Sequence, residues 1–179
     1  MALTRLPVAE GRGDEAAELL RRAFDIASET RSIRFAGPII LGSLARALAP
    51  ADERQRALVE AEAIIHSGCV GHNQLRFYPE AMDVSLQLED YDEAERYAAA
   101  LEGFTCSEPL PWADFFAARG RALAAFGRGR CDPALGRELA RLREEGERLG
   151  LLLALPTIQA ALADAAREGR TAGANNSPR

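Results

Sequence analysis

The sequence predicts an all-α fold, an α-solenoid of about eight helices paired into stacked antiparallel hairpins with a period near 40 residues. Three observations predict it. Alanine and leucine dominate the apolar residues while valine, isoleucine and aromatics are sparse, a balance that favours helix over strand. Apolar residues recur at three- and four-residue intervals between glycine and proline punctuation. Two separate sets of landmarks then report one period. Asp14, Asp52, Asp92 and Asp132 stand at predicted helix starts 38, 40 and 40 residues apart, and Gly42, Ala81, Gly120 and Ala160 lie in the intervening helices 39, 39 and 40 apart. In a helical chain such a period means stacked helix pairs, none of which buries its apolar face alone.

The elements follow in order. "GDEAAELLRRAFDIASE" opens on an acidic cap signal and sets Leu19, Leu20, Ala23, Phe24 and Ala27 on one face of an amphipathic helix. "RFAGPIILGSLARALAP" is the next helix; Pro38 either opens it or kinks a longer one, and Pro50 ends it. "ADERQRALVEAEAIIHSG" is capped by Asp52 and stopped by Gly68, and "HNQLRFYPEAMDVSLQLED" and "YDEAERYAAALEGF" come after it. "PWADFFAARGRALAAFGRG" starts on a proline and stops at a glycine cluster. "CDPALGRELARLREEGERLG" has Asp132 as cap and Pro133 in the favoured first position. "LALPTIQAALADAAREG" is the last helix. These give three hairpins, over about 32–66, 72–104 and 110–149, with one unpaired helix at each end. The recurring small residue suits a close crossing between the two helices of a hairpin, where added side-chain bulk costs about 1–3 kcal/mol.

The totals narrow the function. Twenty-two basic residues, all arginine, face 27 acidic ones for a net charge of −5, which argues against a nucleic-acid groove. The arginines are interleaved with Glu and Asp, as on a solvated helical surface. Three widely spaced cysteines form no disulfide framework, so a reducing cytoplasm is the expected compartment. "MALTRLPVAEGRG" lacks the apolar core of a secretory leader, and no stretch approaches the roughly 20 apolar residues of a membrane span.

Candidate chemistry is thin. "HSGCVGH" brings His66, Cys69 and His72 into one turn, and Cys106 falls in the corresponding turn of the next hairpin, so a small metal- or redox-responsive protein is the alternative reading. The simpler account takes each residue separately. His66 sits at a helix end where the macrodipole favours it, Cys69 closes the turn as a small hydrophobe, and His72 with Asn73 caps or braces the next helix. "EPLPW" is either an exposed recognition segment or a stiff helix entry with Trp112 wedged between hairpins. "FGRGRCDP" lacks the strand and the lysine of a phosphate loop and is read as a turn between repeats. No nucleophile elbow, metalloprotease helix or dinucleotide fingerprint is present, so no catalytic residue, metal ligand or cofactor is assigned and no enzyme is expected.

"RFAGPIILGSLARAL", "GCVGHNQLRFYPEAM", "YAAALEGFTCSEPLPWADFFAARGRALAAFGRG" and "EEGERLGLLLALPTIQAAL" together resemble the C-terminal tetratricopeptide-like region of bacterial multidomain regulators. In that family a class III adenylate or guanylate cyclase domain and an AAA-type ATPase module precede a long helical array. The resemblance spans roughly residues 10–168. The expected organisation is a tetratricopeptide-like repeat domain over 14–169; the unpaired first helix makes 1–13 a remnant of an upstream repeat helix, and 170–179, polar with nothing to bury, is expected as a disordered tail. The cyclase carboxylates and the ATPase phosphate loop have no counterpart here, so only a sensory or scaffolding role carries over. The expected function is therefore a non-catalytic scaffold for protein–protein interaction or regulatory ligand sensing. Its concave groove would be lined mainly by the first helices of the hairpins, with Arg34, Gln74, Arg76, Phe77, Phe116 and Arg119 as contacts. The exposed N-terminal repeat face offers a route to a homodimer.

Overall fold

The structure is a computed structural model that describes residues 13–174, with side chains described as far as residue 167. Among the described residues every regular element is helical. The α-helices are α1 (Gly13–Glu29), α2 (Ile33–Ala47), α3 (Ala51–His66), α4 (His72–Gln87), α5 (Tyr91–Thr105), α6 (Pro111–Gly127), α7 (Pro133–Arg148) and α8 (Leu155–Ala174), and a 3-10 turn over Leu152–Ala154 leads into α8. None is long and apolar enough to cross a membrane.

Local sequence sets these limits. Asp132 caps α7 by accepting hydrogen bonds from the amides of Ala134 (2.8 Å) and Leu135 (2.9 Å), with Pro133 first in the helix. Asp90 caps α5 through the Glu93 amide. The other periodic aspartates are not caps: Asp14, Asp52 and Asp92 lie inside the first turn, and Pro50 precedes α3 without a side-chain cap. There they still meet the positive end of the helix, which explains why acidic residues recur in that register. Gly68, Gly129 and Gly150 end α3, α6 and α7 with positive φ, as predicted for glycines just past a helix end.

Helices joined in sequence pack on each other, and α2, α4, α6 and α8 also pack one on the next. Among the described residues α1, α3, α5 and α7 do not pack on one another; they meet through side-chain ion pairs, Arg21 of α1 with Glu53 of α3 at 3.1 Å and Arg96 of α5 with Glu62 of α3 at 2.7 Å. The even-numbered helices therefore form a central row. One core runs from Leu20 of α1 through Leu41, Phe77, Tyr97 and Leu101 to Ala117 of α6, and a second joins Phe115 to Leu139, Leu142 and Ile158. Half-buried Phe116 packs against both.

The small residues serve that row in a way the period alone did not reveal. A Cβ on Gly42 would lie 3.2 Å from the Phe77 ring and 3.4 Å from Cβ of Glu80, both on α4, so the close approach is to the first helix of the next pair and not within its own pair. Gly120 of α6 faces back, toward Met82 of α4 and Ala98 of α5. Ala81 is fully buried, but Ala160 is exposed, and its neighbour Ala161 takes the buried position in α8. Leu19 is also 42% exposed; the buried face of α1 is Ala16, Ala17, Leu20 and Ala27, with Ala23 and Phe24 half-buried. The stretch over 170–174, expected as tail, is the end of α8. Residues 1–12 and 175–179 lie outside the described residues, and with them most of the expected N-terminal remnant.

Candidate functional site

Pro38 falls inside α2, so it neither opens that helix nor supplies the amide that the Arg34 carbonyl needs. The "HSGCVGH" turn supplies it instead. The Val70 amide donates to the Arg34 carbonyl at 3.1 Å, and buried Asn73 donates through Nδ2 to the carbonyls of Arg34 (3.2 Å), Phe35 (3.1 Å) and Val70 (3.1 Å). This bracket places the starts of α2 and α4 side by side. His66 is the exposed last residue of α3, and His72 opens α4 with its ring edge-on to Phe35 at 5.0 Å. Cys69 is half-buried, and burial pushes its thiol above the ordinary value. Among the described residues no group of three or more His, Cys, Asp or Glu side chains could hold a metal ion, so His66, Cys69, His72 and Cys106 do not assemble a site. The turn's observed work is to brace two helices.

The groove lies along the row of even-numbered helices and consists of two adjoining clefts, of about 590 and 310 Å³. The larger is walled by Leu86, Leu123, Phe126, Pro156 and Ala161, and the smaller by Pro79, Trp112, Phe116, Leu151 and Leu152. Arg46, Glu80, Asp83 and Leu153 border both. Leu153, in the turn before α8, is 77% exposed and stands with 66%-exposed Leu152 beside the clefts.

A polar ladder forms the floor between them. Arg46 of α2 pairs with Glu80 of α4 at 2.8 Å. Burial opposes the Arg46 charge, yet the Glu80 carboxylate more than offsets it and the guanidinium pKa lies above its ordinary value. Arg119 of α6, only 2% exposed, donates to Asp83 of α4 at 2.7 Å, to the Ala154 carbonyl at 3.1 Å and to the Thr157 hydroxyl of α8 at 2.6 Å. The planar guanidinium can satisfy three acceptors in three directions, which an ammonium on a flexible stem does not do in fixed geometry. Arg54 of α3, whose pKa burial and nearby Arg46 push down, ties the Ala45 carbonyl to Gln87 at the far end.

Of the residues expected in the groove, Arg76, Phe116 and Arg119 border the clefts. Phe77 is fully buried against Tyr97 and Tyr78 and cannot reach a ligand. Arg34 is exposed at the start of α2, and half-buried Gln74 lines neither cleft. Trp112 is half-buried on Phe116, with ring centroids 4.6 Å apart, packs against the main core and also walls the smaller cleft. Sequence reasoning missed Arg46, Glu80, Asp83, Leu153 and Thr157. Their signal was present in part: Arg46, Asp83 and Leu123 are separated by roughly one repeat, on the same helices as the small residues.

This arrangement offers apolar surface with fixed polar edges, which suits binding. No family model, no curated protein and no solved structure matches the chain.

Proposed function

We propose that the eight helices form a tetratricopeptide-like α-solenoid whose groove receives a segment of a partner protein, making the chain a non-catalytic interaction scaffold. The observation that carries this reading is the continuity of the groove. Two clefts meet at one charged floor, share Leu153, and run across α2, α4, α6 and α8. A volume of about 590 Å³ lies in the range of small-molecule sites, but its open extension into a second cleft suits a chain of side chains better than one compact ligand. A regulatory role resembling that of the cyclase–ATPase regulators belongs to the same proposal, with the groove as the regulated contact.

The test is a random peptide library displayed on phage and selected against the full chain. The selected peptides lose at least about tenfold in affinity for Leu153→Asp, because the substitution puts an unpaired carboxylate at the mouth of both clefts, where a bound segment would bury it. Leu19→Asp, on the surface of α1, leaves affinity unchanged. Failure to enrich any peptide, or equal loss from both substitutions, contradicts the groove.

A further inference from the structure

We propose that the groove selects acidic-apolar peptide segments, in which a carboxylate side chain lies beside Arg76 while an apolar side chain enters the larger cleft; this rests on the groove reading above. The carboxylates that border the clefts are already matched. Glu80 is held by Arg46 at 2.8 Å, Asp83 by Arg119 at 2.7 Å, and Asp164 pairs with Arg167. Arg76 borders the smaller cleft next to Trp112 and Phe116, is exposed, and has no ion-pair partner among the described residues.

The surface beyond Arg76 has the same character. His72 sits one turn earlier on α4, on the same helix face, and Phe35, 61% exposed, meets its ring edge. Arg34, the residue before Phe35, is exposed and likewise has no ion-pair partner among the described residues. The starts of α2 and α4 are bracketed together at this edge by Asn73, and Trp112 at the start of α6 shares the smaller cleft with Arg76. The N-termini of α2 and α4 add positive potential there.

A basic segment finds Glu80 and Asp83 engaged and Arg76 repelling it. An acidic segment finds aromatic walls and an unmatched guanidinium, which forms planar two-point contacts with carboxylates. The chain's net charge of −5 opposes acidic ligands only at long range, and that repulsion is screened beyond about 8 Å at physiological salt. Local charge therefore decides.

The probes are peptides enriched from the random library at near-physiological salt, synthesised with a fluorescent label, and the same peptides with Asp and Glu changed to Asn and Gln. The expected result is enrichment of Asp or Glu together with large apolar residues. Arg76→Glu weakens these peptides about tenfold and Arg76→Gln about threefold, and neither change affects the Asn/Gln versions. Circular dichroism confirms that both variants fold, as an exposed position allows. Neutral or basic sequences that still depend on Leu153 overturn the acidic preference and leave the groove standing. Acidic sequences indifferent to Arg76→Glu overturn the preference as well, and no enrichment overturns both readings.

Discussion

Arg119 shows how much of this fold depends on single polar side chains placed where helices meet. It is almost fully buried, and its three acceptors belong to α4, to the turn before α8 and to α8 itself. Removing one partner of such a pair leaves the other charge without compensation, which typically costs 3–5 kcal/mol; because Asp83 keeps some solvent access, the lower end applies. Arg119→Ala should therefore lower the unfolding free energy by about 3 kcal/mol in urea titrations, and Arg119→Lys should recover less than half of that. A loss below about 1 kcal/mol would mean that α8 docks by apolar contact alone. Asp132 offers a second test at this scale. The Arg130 guanidinium beside it, together with the Leu135 and Ala134 amides, holds its carboxyl down at about 2. A carboxyl depressed in the folded state stabilises the fold fully above its unfolded value near 3.8 and loses that contribution as pH falls toward 2. Between those limits the urea midpoint of the wild type should fall more steeply than that of Asp132→Asn.

At the scale of elements, helix ends were legible and helix faces were less so. Pro111 and Pro133 open α6 and α7, and Gly68, Gly129 and Gly150 close three helices, because these residues act through backbone geometry that needs no tertiary partner. Asp52 and Asp92 misplace the caps by two residues, since an acidic residue gains from the helix dipole anywhere in the first turn. Leu19 and Ala160 are misplaced in burial because a period assigns a face, and the neighbouring helices decide how wide that face is. The Pro38 bracket was not legible: the α2 carbonyls and the donors that serve them, Val70 and Asn73, are 36 to 39 residues apart, and only the fold brings them together. It also makes a quantitative prediction. Asn73→Ala leaves buried carbonyls with fewer donors and should cost about 2 kcal/mol. In the Pro38→Ala background an amide returns to the Arg34 carbonyl, so the same change should cost about 1 kcal/mol less, a coupling measured by a double-mutant cycle. Additive effects would show that the turn does not compensate the proline.

For the whole molecule, the repeat was the strongest signal and the ladder the weakest. Composition and period lead to an all-helical chain of paired helices, and the described residues form eight α-helices with the even-numbered ones in a row. What the period could not say is that the small residues serve contacts between successive pairs, or that charged groups on α2, α4 and α6 and the Thr157 hydroxyl of α8 line up into one floor. Such pairs lie 34 to 38 residues apart and look in the sequence like any solvated arginine and carboxylate. The same uncertainty covers the groove contacts: Arg76, Phe116 and Arg119 border the clefts, whereas Phe77, one position from Arg76, is core. Helical geometry turns each successive residue by about 100°, so one register step separates a cleft-lining residue from a packing residue.

The most direct test of the central claim, that the row of even-numbered helices is the binding surface, is backbone hydrogen exchange with and without a library-selected peptide. The account predicts slowed exchange in α2, α4, α6 and the turn leading into α8, with α3, α5 and α7 unchanged. Slowing centred on α3, α5 and α7, or on the outer surface of α1, would contradict it.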